Sequence, residues 1–160
     1  MTPYADTNFF TRYYLPMAES AVVVGLAEEA ERRRAAPLPV TWLHRMEVCN
    51  ALQLHVFQGR SPGHKRVTPE QAAAALALFR DELTRQGLIR QAALATTDLE
   101  RQFEDLSLRH TANHGFRTYD LLHVSSALLL KCDTFWSFDP KANRLAGLEG
   151  LETLATTRPA

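Results

Sequence analysis

Four carboxylates are candidates for shared chemistry: Asp6, Glu47, Asp120 and Asp139. They are scattered over the chain, so only a fold can bring them together. If it does, the consequence is electrostatic. Two carboxylates ~5 Å apart repel by roughly 3 kcal/mol at an effective dielectric of 20. Four in one place would hold protons or recruit a cation. Carboxylate oxygens are hard ligands, and no Cys or His cluster accompanies them, which points to Mg²⁺ or Mn²⁺. Such a site suits metal-assisted attack of water on a phosphodiester.

The elements that would position these acids alternate along the chain. Residues 3–6 predict a short strand ending in Asp6, and residues 20–34 an amphipathic helix stopped before Pro37. PLPVTW (37–42) predicts a second strand with proline at its start. Residues 44–57 then carry apolar side chains at helical spacing and end at Gly59, which puts Glu47 in that helix's first turn. Thr68, Pro69 and Gln71 mark the start of a helix that Gly87 closes. LIRQAAL (88–94) predicts a strand, and Thr97 with Glu100 a capping box on the next helix. After Gly115 come a helix over 118–131, a strand TFWSF (134–138), a short helix DPKANRLAG and a last strand LETL (151–154). Strands joined by helical crossovers predict a mainly parallel sheet covered on both faces. Such sheets bind ligands beyond the C-terminal ends of their strands. Asp6 and Asp139 end strands, while Glu47 and Asp120 open helices, so all four share that rim.

Blander roles compete for each acid. A carboxylate in a first helical turn complements the helix dipole, which covers Glu47 and Asp120. Asp139 before Pro140 suits a plain N-cap. Asp6 is harder to dismiss, because Asp is depleted in strands. His123 shares a helix face with Asp120 and suits a ligand, a proton shuttle or a core histidine; His44 and His114 read as loop residues. Phe9, Phe10, Tyr13 and Tyr14 suit either an interface or helical core packing. The loop QGRSPGHKR contributes Arg60, Lys65 and Arg66 without a nearby acid, and would draw an RNA backbone toward an acidic pocket or simply be solvated.

Composition sets the frame. At 160 residues the chain predicts one domain, 1–160, with 18 Lys+Arg against 18 Asp+Glu. Bulk charge therefore names no partner. Cys49 and Cys132 lie far apart, which excludes a Cys-x-x-Cys zinc motif and fits a reduced, cytoplasmic setting. The chain has neither a signal-peptide pattern nor an apolar run long enough for a membrane span.

YADTNFF, RMEVCNAL, RTYDLLHVSSAL and FWSFDPKANRLA, in that order, resemble the four signature blocks of PIN-domain ribonucleases. The resemblance covers nearly the whole chain, and its small free-standing members are most often toxins of VapBC-type toxin–antitoxin pairs. It implies a three-layer α/β/α fold with a mainly parallel sheet and a Mg²⁺- or Mn²⁺-dependent endoribonuclease leaving 3′-hydroxyl and 5′-phosphate ends. By position, Asp6, Glu47, Asp120 and Asp139 would be both the catalytic and the metal-binding quartet. Asn8 matches a polar position that orients its neighbours, and Ser137 one that hydrogen-bonds a metal-bound water or ligand. A fifth acid often follows the fourth; Asn143 is the nearest polar residue here, which weakens a second metal site. The resemblance also implies an RNA substrate, a cognate antitoxin and a homodimer. Two other readings compete. A phosphatase with an aspartate nucleophile would want an acid two residues after Asp6, where Asn8 stands. A PIN-like module that binds RNA or protein without cutting, or an RNA-processing nuclease outside a toxin–antitoxin pair, remains open.

Overall fold

A computed structural model describes residues 1–17 and 19–154. The elements run β1 (Pro3–Ala5), α1 (Thr7–Tyr14), α2 (Ser20–Arg32), β2 (Leu38–Val40), α3 (Trp42–Gln58), α4 (Pro69–Arg85) and β3 (Ile89–Gln91). They continue with α5 (Thr96–Leu106), a π-type segment Ser107–Thr111, α6 (Ala112–His114), α7 (Thr118–Leu129), β4 (Thr134–Trp136), α8 (Pro140–Leu148) and β5 (Glu152–Thr153). All strand pairs are parallel, in the orders β1-β4-β5 and β2-β3, and β2 lies beside β1.

Alternation along the strands builds two cores. Tyr4 and its register partner Phe135 enter one cluster with Leu106, Leu121, Val124 and Leu145, from α5, α7 and α8. Ala5 and its partner Trp136 enter the other with Phe9, Val23, Leu52 and Phe79, from α1 to α4. Successive strand residues point to opposite faces, so each short strand feeds both layers. The result is the expected α/β/α sandwich. Burying a side chain the size of Phe135 contributes about 1.5–3 kcal/mol.

Pro39 explains why the sheet is split. The Leu38 N–H donates to Leu88 O and Val40 O accepts from Ala92 N–H, so both residues face β3. Alternate residues face the other neighbour, and the N–H that proline lacks falls on the β1 side. Across that gap, Asp6 N–H donates to Trp136 O, which turns the peptide groups of Ala5 toward β2. His44 fills the gap: its Nε2 lies 2.8 Å from Ala5 O, while Nδ1 accepts from Thr41 N–H at 3.1 Å. His44 is therefore a buried residue of α3 and not a loop residue. Burial, then the nearby His123, push its pKa down to about 3, so it is neutral.

Several other expectations shift by a turn or less. Asp6 does not end the strand but caps α1, a helix within which Phe9 and Phe10 are core and not interface. The α3 helix starts at Trp42, so Glu47 sits in its second turn. Thr97 does not cap α5, which begins at Thr96 after an Ala95 that offers no side-chain cap. Gln86, not Gly87, takes the left-handed turn ending α4. Gly115 does close its segment, at φ +64°. Both cysteines are free thiols. No helix among the described residues is long and apolar enough to cross a membrane.

Candidate active site

The C-terminal edge of the sheet carries four helix starts: α1 after β1, α3 after β2, α7, and α8 after β4. Between them lies an open cleft lined by Asp6, Glu47, Asp120 and Asp139, with Arg12, Arg117, Tyr119 and His123. The structure thus brings all four sequence-predicted acids into one cleft. Their local roles differ.

Asp6 is buried, and its side chain accepts from Asn8 N–H and Phe9 N–H as the N-cap of α1. Its Oδ2 also accepts from Ser137 Oγ at 2.5 Å and from Asn8 Nδ2 at 2.7 Å. Burial nevertheless wins over these donors and over His123, and pushes the carboxyl up to about 6. Ser137 Oγ accepts in turn from Asp139 N–H at 2.9 Å, and Asn8 Oδ1 from Phe138 N–H at 2.9 Å. Asn8 and Ser137 thereby tie β1 to the turn after β4.

Glu47 faces the same side. Its Oε2 accepts from Thr7 Oγ1 at 2.7 Å and lies 2.5 Å from His123 Nε2. Burial raises its pKa, but the His123 and Thr7 contacts outweigh that and hold it below the usual carboxylate range. The other nitrogen of His123, Nδ1, is 2.9 Å from the buried Tyr4 hydroxyl. With Tyr4 O–H donating to Nδ1, the ring is left to present Nε2–H to Glu47. His123 thus supports an acid from the core side.

Asp120 and Asp139 are held by charge. Asp120 accepts from Arg117 N–H at 3.0 Å, the N3-to-N-cap half of a capping box on α7, and from the Arg117 guanidinium at 3.0 and 3.1 Å. The same guanidinium pairs with Asp139 Oδ2. Asp139 also caps α8 through Lys141 N–H at 2.8 Å. Burial raises the Asp139 pKa, but the Lys141 N–H and Arg117 bring it net below its ordinary value. The bland capping roles weighed against these residues are real, and they coexist with a place in the cleft.

Arg60, Lys65 and Arg66 do not line the cleft. Arg60 and Arg66 line a separate hollow in the loop after α3. Glu47 is eleven residues before the helix end at Gln58, about 16 Å along the axis. Asn143, at the fifth-acid position, donates to Ser137 O at 2.8 Å. The sequence reading missed the cleft's own cations, Arg12 and Arg117. The available signal was weak: Arg117 stands three residues before Asp120, the spacing of a reciprocal helix cap.

The donor chemistry fits a hard divalent cation, since four carboxylates meet in one cleft. Their present pairing does not close a ligand shell: among the described residues, no group of three or more His, Cys, Asp or Glu is arranged to hold a metal ion. The positive charge beside Asp120 and Asp139 is supplied by Arg117.

No family model matches the chain, and no curated protein matches it. Among solved structures it is similar to the Mycobacterium tuberculosis toxin VapC20, which cleaves the sarcin-ricin loop. The two share 14% sequence identity and a TM-score of 0.59, over 99% of this chain and 100% of that one. The chain has a VapC-like PIN fold.

Proposed function

We propose that this chain is a Mg²⁺- or Mn²⁺-dependent endoribonuclease, the toxin of a type II toxin–antitoxin pair. The observation that carries this reading is the convergence of Asp6, Glu47, Asp120 and Asp139 on one cleft at the C-terminal edge of a VapC-like PIN sheet. These four side chains would hold the cation. When bound, it would stabilise charge on the scissile phosphate and make water a better nucleophile. The chain's own residues position the acids. Ser137 and Asn8 fix the Asp6 carboxylate, and Ser137 also receives the Asp139 backbone N–H. Thr7 and His123 fix Glu47. The reading further takes an antitoxin as partner, a homodimer as the assembly and the cytoplasm as location.

A second reading is a PIN-like module that binds RNA without cutting it. The Arg117 bridge favours it, because two of the four acids are already neutralised by a side chain.

Single-turnover cleavage separates the two. A pool of structured RNAs that includes a sarcin-ricin-type loop is the first substrate to test, with Mg²⁺, Mn²⁺ or EDTA. Metal-dependent cutting by the wild type, lost in Asp6→Asn and Asp139→Asn, supports the nuclease. Equal cutting by wild type and Asp6→Asn means the wrong site or a contaminant. Metal-independent RNA binding without any cutting supports the module.

A further inference from the structure

Arg117 is an unusual residue to find at a helix N-cap, where Ser, Thr, Asp or Asn are favoured. It precedes Asp120 by three residues, and its backbone N–H already satisfies one Asp120 oxygen at 3.0 Å. The guanidinium is therefore not needed to complete the cap. It lies instead across the cleft mouth, reaching Asp120 from Nε and a terminal nitrogen and Asp139 from that same terminal nitrogen. The side chain is 59% exposed, while Asp120 is 5% and Asp139 27% exposed. A guanidinium that binds one buried and one partly buried acid from the solvent side, and is itself open to water, can be replaced by another cation without disturbing the core.

The second arginine of the cleft is tied down. Arg12 is engaged by Glu19 at 3.1 Å and by Asn8 O at 3.1 Å, and it stacks over Phe138 at 4.8 Å. Arg117 makes its described side-chain bonds only to two of the acids that would hold a metal ion.

Resting on the ribonuclease reading, we propose that Arg117 is a displaceable counter-cation: it neutralises Asp120 and Asp139 in the metal-free protein and, once released by a divalent ion, contacts the RNA backbone. Two consequences follow from charge alone. Metal must displace a guanidinium, so Arg117 weakens metal binding. A released arginine at the cleft mouth neutralises a phosphate only in the metal-bound protein.

The test uses Arg117→Gln and Arg117→Lys. The backbone cap to Asp120 survives in both, and melting in EDTA checks that both fold. Mn²⁺ affinity is read by calorimetry, without RNA. Arg117→Gln should bind Mn²⁺ about tenfold more tightly than wild type, a change of about 1.4 kcal/mol. Arg117→Lys, a point charge without the fork, should fall between the two. Binding of a phosphorothioate-linked single-stranded RNA is then measured against salt, in Ca²⁺ and in EDTA. Arg117→Gln should lower the salt slope by about 0.7 in Ca²⁺, one phosphate's share for a single strand, and leave it unchanged in EDTA.

Unchanged or weaker Mn²⁺ binding in Arg117→Gln, in a protein whose wild type binds metal and cleaves RNA, overturns the proposal alone. Tighter Mn²⁺ binding with an unaltered salt slope in Ca²⁺ overturns the transfer to phosphate. Failure of both proteins to bind Mn²⁺ at millimolar levels removes the proposal together with the ribonuclease reading.

Discussion

The two halves of the cleft solve one problem in opposite ways. Asp6 and Glu47 are satisfied largely by neutral donors from the fold, Ser137, Asn8 and Thr7, with the buried His123 behind Glu47. Asp120 and Asp139 also use backbone donors, but share one exposed guanidinium. Neutral donors orient a carboxylate without cancelling its charge; a guanidinium cancels charge and can depart. The first half is therefore preorganised whatever occupies the cleft, and the second is conditional. Asp6 shows the cost of the first solution, since burial pushes its carboxyl up to about 6 despite four hydrogen bonds.

The largest expected effect erases the difference between the halves. On the ribonuclease reading, Asp6→Asn and Asp139→Asn should each lower single-turnover cleavage by orders of magnitude, because each would remove a charged group proposed to hold the cation, where several kcal/mol of barrier lowering is needed. Retention of activity in Asp139→Asn alone would confine the chemistry to the Asp6–Glu47 half.

Stability against pH is the next test, and here the halves should diverge. Below about pH 4 Asp6 carries a proton in both the folded and the unfolded chain. Between there and about 6 only the folded form keeps it, so rising pH removes stability. His44 acts the other way. With its folded pKa down at about 3, the unfolded chain alone takes a proton as pH falls below its ordinary value near ~6.5, so acid removes stability. The two slopes oppose each other between about pH 4 and 6. Asp6→Asn should remove one of them: denaturant melts should show stability rising more steeply with pH across that window. They should also show a gain at pH 7 of at most roughly 3 kcal/mol, two pKa units' worth. An unchanged profile would mean that Asp6 is not a desolvated carboxylate. Asp139→Asn should leave the slope in this window nearly as it was.

A smaller effect probes the support behind Glu47. His123→Phe leaves the Tyr4 hydroxyl and one Glu47 bond without a partner and should destabilise by about 1–3 kcal/mol. Tyr4→Phe with His123→Phe should cost less than the sum of the two, because the second change removes the orphan left by the first. Additive melting energies would show that the contacts do not act as a chain.

How much of this was legible in the sequence follows the same division. The parallel α/β/α architecture was readable because its helices carry clear caps and apolar periodicity, as at Thr68-Pro69-Glu70-Gln71. The acids were readable because each sits at a strand end or near a helix start. What the sequence hid was pairing across the fold. Pro39 inside β2 breaks a ladder only if β1 lies beside it, and only that neighbour turns His44 from a loop candidate into a buried carbonyl partner. Likewise Arg117 reads as one more surface charge until α8 brings Asp139 within reach.

The smallest effect concerns charge outside the cleft. Lys65 and Arg66 lie on the loop beyond α3, whose end is about 16 Å from Glu47 along the axis, and line no part of the acidic cleft. If they touch RNA, they touch it far from the scissile bond. Lys65→Ala with Arg66→Ala should then weaken RNA binding and reduce the salt slope by at most about 1.4, two phosphates on a single strand. The single-turnover rate at saturating RNA should stay nearly as in wild type, since uniform binding is lost and no group at the reacting centre has changed. Arg117→Gln should differ in kind, with its effect on salt dependence appearing only when metal is present. A loop double variant that also slowed the saturated rate would place this loop in the reacting complex, and would require the α3–α4 connection to fold toward the cleft when RNA binds. An unaltered salt slope would leave the loop as a solvated surface.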